Sequence, residues 1–246
     1  GGRVLVCDAQ AQGVAETVES IREAGGTAHP YVARLSDQTS ARMLVAECIE
    51  RFGALDGLVA NAGVLNPGPA REQDQNTVDQ TLQTNIAAVW HCCVSAMDVM
   101  VQAGQGSIVT VVSGAMQGLP GLALYSMSKS AVLGLTYGLA LELEQTGVRI
   151  NAMSPLAHTP MSDLMDIDDA AKGAPADGVA PLVVYLLGDQ SRHLNGQVLR
   201  FDGVRLGVVS GPRLTHTTTE RAEWTADDVA VAVAGPLRAG VVPVGL

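Results

Sequence analysis

The chain has 246 residues, 47% hydrophobic and only 3% aromatic, which suits one α/β domain with a core of Val, Leu, Ala and Met, or a domain plus an extension. A formal net charge of −10 leaves no basic stripe to neutralise phosphates and argues against nucleic-acid binding. No signal-peptide pattern or membrane-length apolar run is seen, the histidines show no metal-ligand spacing, and Cys7, Cys48, Cys92 and Cys93 form no C-x-x-C pair, so a cytoplasmic protein with reduced thiols, no membrane partner and no metal is expected.

In chain order, Gly1 to Asp8 reads as a short buried strand ending in an acid, followed by a helix over Gln10 to Ala24 that Asp8 is placed to cap. Thr27 to Ala33 reads as a second strand, and Asp37 as the N-cap of a helix over Ser40 to Phe52. Leu55 to Gly63 is a strand running into Asn61-Ala62-Gly63, and the two prolines in Asn66 to Asp74 predict a loop. A long helix is expected over Thr77 to Gln102, with Asn85 inside it against its propensity. Ile108 to Val112 reads as a buried parallel strand, leading into Ser113, a Gly/Pro-rich turn and a small-residue helix that carries Tyr125-Ser-Met-Ser-Lys129. Tyr125 and Lys129, four apart, share one helix face, and a nearby ammonium is expected to lower the phenol pKa toward neutrality, making Tyr125 a proton donor and acceptor. Gly147 to Pro155 is a further strand, Ser162 to Pro175 a short covering segment, Gly178 to Leu187 a packing helix, and Leu194 to Asp202 the last strand of the domain. The remainder, Gly207 to Leu246, has too little apolar content for a separate domain and reads as an extension with a strand at Val204 to Val209 and a capped helix after Trp224.

Asn61-Ala62-Gly63, the helical Asn85, Ser113, Tyr125-x-x-x-Lys129 and Gly196-Gln-Val198 come in the order and context of the short-chain dehydrogenase/reductase family, which the chain resembles over about residues 3 to 206. The resemblance implies a doubly wound Rossmann-type parallel sheet with helices on both faces for residues 1–206, residues 207–246 packing on the same or a neighbouring subunit. It implies a catalytic set of Asn85, Ser113, Tyr125 and Lys129, in which Ser113 bonds the substrate oxygen, Tyr125 moves the proton, Lys129 tunes it and holds the nicotinamide ribose, and Asn85 anchors a water path. The implied cofactor contacts are Asp8 on the adenosine ribose, the backbone of Leu35, then Asn61, Ala62, Gly63, Tyr125 and Lys129, and Pro155, Leu156 and Thr159 on the carboxamide side. Asp8 would repel a 2′-phosphate, so NAD is expected over NADP, whereas Arg34, standing where the family usually has an acid, would soften that preference.

The family's first strand, glycine-rich turn and first helix are not found, and no G-x-x-x-G-x-G occurs. That strand is central in the doubly wound order, and each backbone group left unmet beside it costs roughly 1–3 kcal/mol against a total of about 5–15 kcal/mol, so the expectation is an N-terminally truncated version of a longer protein. The Ser113–Tyr125 spacing is one residue shorter than usual. Pro155-Leu156 and the short following loop resemble a subgroup that includes the (3R)-hydroxyacyl-CoA dehydrogenase part of peroxisomal multifunctional enzyme type 2. By that analogy the substrate is a 3-hydroxyacyl thioester or a hydroxysteroid. The alternatives are an NADPH-dependent 3-oxoacyl-carrier-protein reductase and a non-catalytic oligomer subunit. The family's habit of pairing long helices implies a homotetramer or homodimer.

Overall fold

A computed structural model describes residues 2–165, 172–211 and 219–238. Strand β1 (Arg3–Asp8) and strand β2 (Thr27–Val32) pair in parallel, Arg3 opposite Thr27 and Asp8 opposite Val32. Helix α1 (Ala11–Glu23) joins them and presses Val14 and Val18 onto Ala28. Its N-cap is Gln10, whose N–H bonds the Asp8 carboxylate at 2.8 Å, so Asp8 acts two residues before the cap position. Helix α2 (Gln38–Phe52) is capped by a reciprocal Asp37–Ser40 box and stopped by Gly53 in the left-handed region at φ 83°.

A second sheet holds the main core. Strands β3 (Gly57–Ala60), β4 (Gly106–Val111), β5 (Val148–Pro155) and β8 (Val198–Phe201) run parallel in that order, with β9 (Leu206–Val208) antiparallel at the edge. The strand expected at the start of the extension therefore joins the domain's own sheet. β1 and β3 are not hydrogen-bonded to each other, so each keeps an unpaired edge, and Val4 and Val59 stay 42% and 37% exposed. The expected doubly wound layering is present, but its strands lie in two hydrogen-bonded blocks.

β4 and β5 are buried along almost their whole length, which is why they read as continuous apolar runs; Ile108, Val109 and Ile150 are fully buried. One face is covered by α4 (Ala88–Ala103) and α5 (Ala123–Glu142), through Cys93, Ala96, Met100, Val132 and Leu139. The other is covered by α6 (Ala176–Leu187), through Val179, Leu182 and Leu186. The expected long helix is α3 (Gln75–Leu82), one π-helical turn (Gln83–Ala87) and α4. This run, Gln75–Ala103, corrects one expectation: it is long and apolar enough to cross a membrane, although its inner face packs on β3, β4, β5 and α5 as a core helix does.

Two-residue strands β6 (Ala157–His158) and β7 (Ala174–Pro175) close the root of the covering segment, part of which lies outside the described residues. Helix α7 (Ala226–Ala234) starts on a Thr225–Asp228 capping box; residues 212–218 and 239–246 of the expected extension lie outside the described residues. All four cysteines are free thiols, Cys92 and Cys93 buried and Cys7 and Cys48 half-buried.

Candidate active site

The carboxyl ends of β1, β3, β4 and β5 carry the residues singled out in the sequence, as open parallel sheets place their ligand crevice. Ser113 follows β4 in extended conformation, and its hydroxyl accepts the Ala115 N–H at 3.2 Å and hydrogen-bonds the Tyr125 phenol. Tyr125 and Lys129 lie one turn apart on α5, with the Lys129 ammonium 5.6 Å from the ring centroid.

The charge relation between them differs from expectation. Burial pushes the Tyr125 phenol above its ordinary value and the Ser113 hydrogen bond only partly offsets this, so the phenol is not lowered toward neutrality. The reason lies in Lys129. Its side chain is 4% exposed, Nζ donates to the Val111 carbonyl at 2.8 Å, and burial drops its own pKa from 10.5 to about 8. A desolvated ammonium turned to a strand carbonyl does little for a phenol across the helix face.

Asn85 is 0% exposed in the π turn, and its amide is fully used. Oδ1 accepts the Val64 N–H at 2.8 Å, while Nδ2 donates to the Val64 carbonyl at 2.9 Å and to the Ser128 hydroxyl at 3.0 Å. Ser128 in turn donates to the Tyr125 carbonyl at 2.8 Å. One side chain thus ties the chain after β3 to the first turn of α5. Its propensity cost in mid-helix was the signal in the sequence; the double bond to Val64, a contact 21 residues away, was not.

Gly63 completes the crevice. A Cβ there would stand 3.4 Å from Asn85 Oδ1 and 3.6 Å from Lys129 Nζ, so its absence leaves open the space beside the lysine. Asn61 and Ala62 are exposed at the end of β3, as is Asp8 at the end of β1. Arg34, just past β2, is exposed, and Leu35 beside it is half-buried. Pro155 ends β5; the half-buried Leu156 accepts the packing of Gly173, where a Cβ would come within 2.3 Å of the Leu156 carbonyl. Thr159 is half-buried, and its carbonyl accepts the Ser162 hydroxyl at 2.7 Å.

Sequence reasoning missed a clasp here. Asp163 Oδ1 takes both His158 Nε2 and Lys172 Nζ at 2.9 Å, joining the segment after β5 to the chain re-entering β7. Spacings of five and nine residues carry no helical or strand signal that would have revealed it.

The model of the family described as short chain dehydrogenase matches residues 1–167. The chain belongs to that family. Its members are oxidoreductases that act on CH–OH and keto groups with nicotinamide cofactors. The chain is 31% identical over 215 residues to a subunit of a hydroxy(phenyl)methylsuccinyl-CoA dehydrogenase from Thauera aromatica, covering 83% of this chain and 87% of the relative. It is 28% identical to a 3-oxoacyl-carrier-protein reductase from Thermotoga maritima, covering 82% and 87%. The crystal structure of a short chain dehydrogenase from Mycobacterium avium superposes with a TM-score of 0.87 at 27% identity, covering 100% of this chain and 89% of that one. The resemblance to the multifunctional-enzyme subgroup stays an analogy, since the relatives span several substrate types.

The cofactor of this family can be fitted in part. The Gly63 opening beside Lys129 suits the nicotinamide riboside end, and the exposed Asp8 suits a ribose diol. The described residues hold no glycine-rich turn of the kind that cradles a pyrophosphate.

Proposed function

We propose that this short-chain dehydrogenase interconverts a secondary alcohol and its ketone, with NAD preferred over NADP, and that its substrate is a 3-hydroxyacyl thioester or a hydroxysteroid. The observation that carries the reading is the convergence of Ser113, Tyr125, Lys129 and Asn85 on one crevice beside the open face of Gly63. Ser113 holds the substrate oxygen. Tyr125 gives that oxygen its proton, or takes it in the alcohol-oxidising direction. Lys129 sits behind the phenol, and leaving the Val111 carbonyl would bring its charge to bear on Tyr125 and on the ribose. Asn85 keeps the proton route in register by holding Val64 and Ser128. Bound nicotinamide would accept or supply the hydride at the carbinol carbon, held by Asp8, the Leu35 backbone, Asn61, Ala62, Gly63, Tyr125, Lys129, Pro155, Leu156 and Thr159.

The apolar cluster packed against Tyr125, with Leu65, Leu119, Leu122, Met161 and Met165, supports a substrate whose body beside the carbinol is apolar. Asp8 supports NAD; the exposed Arg34 and the similarity to a 3-oxoacyl-carrier-protein reductase favour that reading with NADPH. A homotetramer or homodimer is supported by the exposed face of α5, where Met127, Ala131, Gly134, Gly138 and Leu141 carry no charge, beside Trp90 and Val101 of α4. A reducing cytoplasm suits four free thiols. Thermal stabilisation by each cofactor tests the reading: a hundredfold excess over Kd adds about 2.7 kcal/mol, and a shift with NAD that exceeds the shift with NADP is expected. A shift with NADP alone transfers the weight to Arg34, and no shift with either supports the non-catalytic subunit.

A further inference from the structure

Beyond the apolar cluster lies a cavity of about 410 Å³, walled by the loop after β3 and by Leu164 of the covering segment. Leu65 joins the two, since it belongs to the cluster on Tyr125 and also lines the cavity. The loop is fixed relative to the active-site turn, because Gly68 N–H bonds the Gly121 carbonyl at 2.8 Å. Its polar lining is Asn66, Glu72, Gln73, Asp74 and Thr77, and no cation lines it among the described residues.

The chemistry of this lining is one-sided. Asn66 and Gln73 are carboxamides, able to donate and accept. The Asp74 carboxylate accepts the Thr77 N–H at 2.7 Å and is held below its ordinary pKa by that bond, so it stays charged. Glu72 pairs with Arg71 at 3.4 Å in an exposed ion pair, and Arg71 is not among the described lining residues. A carboxylate or phosphate entering here meets two carboxylates, of which only Glu72 is paired, by an arginine outside the described lining, whereas a hydroxyl or amide finds acceptors and donors on several sides.

We infer that this cavity is the subsite for the far end of the substrate and that it takes an uncharged, hydrogen-bonding arm, so that thioesters or amides with a neutral arm are accepted and those whose arm ends in a carboxylate are rejected. The inference rests on the proposed oxidoreductase reading and specifies its substrate: an apolar segment beside the carbinol, then an amide- or hydroxyl-bearing arm. Glu72 is the residue that enforces the rejection.

The test compares a 3-hydroxyacyl N-acetylcysteamine thioester, whose arm is a neutral amide, with the 3-mercaptopropionic acid thioester of the same acyl chain, whose arm ends in a carboxylic acid. Both are followed by kcat/KM and by the melting shift each compound produces alone. The amide-armed thioester is expected to lead by roughly tenfold in kcat/KM, since a charged arm meets the carboxylates of Glu72 and Asp74. Glu72→Gln is expected to narrow that lead by raising kcat/KM for the acid-armed thioester, as is salt at about 1 M, where the screening length falls to about 3 Å. Equal or better turnover of the acid-armed thioester, or a ratio unmoved by Glu72→Gln, overturns the inference while leaving the oxidoreductase reading intact. A melting shift with the amide-armed thioester and not the acid-armed one, without turnover of either, upholds the subsite and removes the catalytic reading. Neither turnover nor a shift removes both.

Discussion

Replacing Asn85 by Ala tests the joint between the chain after β3 and the catalytic helix. The side chain is 0% exposed and makes three hydrogen bonds, to the Val64 N–H, the Val64 carbonyl and the Ser128 hydroxyl. Truncation leaves the two Val64 backbone groups without partners, each at roughly 1–3 kcal/mol when buried; Val64 is only half-buried, which holds its share to the low end of that range. Ser128 keeps its bond to the Tyr125 carbonyl and loses one acceptance. The sum is about 2–4 kcal/mol, which lowers the melting temperature of a domain this size by about 4–16 °C. Urea unfolding followed by circular dichroism measures it, with Asn85→Asp as the companion variant that keeps the acceptor for the Val64 N–H and loses both donated bonds. A loss below about 1 kcal/mol for Asn85→Ala would show that the amide does not hold this joint, and the account of how α5 is positioned would fall.

Three further outcomes follow from the same geometry. The folded pKa of Lys129 is about 8, below its ordinary 10.5, so the unfolded chain binds more protons between those values and this group makes stability rise with pH across that window. Lys129→Met is expected to abolish activity and to lack that rise, so the stability of wild type minus that of the variant, measured by urea unfolding at several pH values, should grow by on the order of 3 kcal/mol across the window. Asp163→Asn releases His158 and Lys172, and is expected to raise KM by roughly threefold or more with a smaller change in kcat. Because these partners hold the Asp163 carboxyl below its ordinary value, whatever stability it adds is present at neutral pH and lost only as the pH falls through that lowered value, so variant and wild type should converge in acid unfolding. Gly147→Ala puts a Cβ 2.1 Å from the Gly104 carbonyl at φ 80°, and a loss of about 2 kcal/mol or more in denaturant unfolding is expected.

Much of the fold was legible because its strands are short apolar runs and its helices carry caps. The Asp37 cap of α2, the Thr225 cap of α7 and the buried run through Ile108 and Val109 each carried a local signal that the structure keeps. The candidate pair was legible as a spacing, Tyr125 four before Lys129, which a helix turns into a shared face. Their electrostatics were not. Whether an ammonium lowers a phenol depends on where the ammonium points, and the Val111 carbonyl that claims Lys129 is 18 residues away in sequence. The split between β1 and β3 depends on edge pairing, which periodicity within one strand does not encode. The clasp on Asp163 and the cavity beside Glu72 arise from loops that meet only in the folded chain.

The most direct test of the central claim is transfer of deuterium from a secondary alcohol deuterated at the carbinol carbon to NAD, run with wild type and with Tyr125→Phe. Wild type is expected to produce deuterated reduced nicotinamide, and Tyr125→Phe to slow it on the order of 100-fold to 10,000-fold with an unchanged melting temperature, as loss of a positioned proton donor does. Transfer at the wild-type rate by the phenylalanine variant would contradict the assignment of Tyr125 as the group that moves the proton.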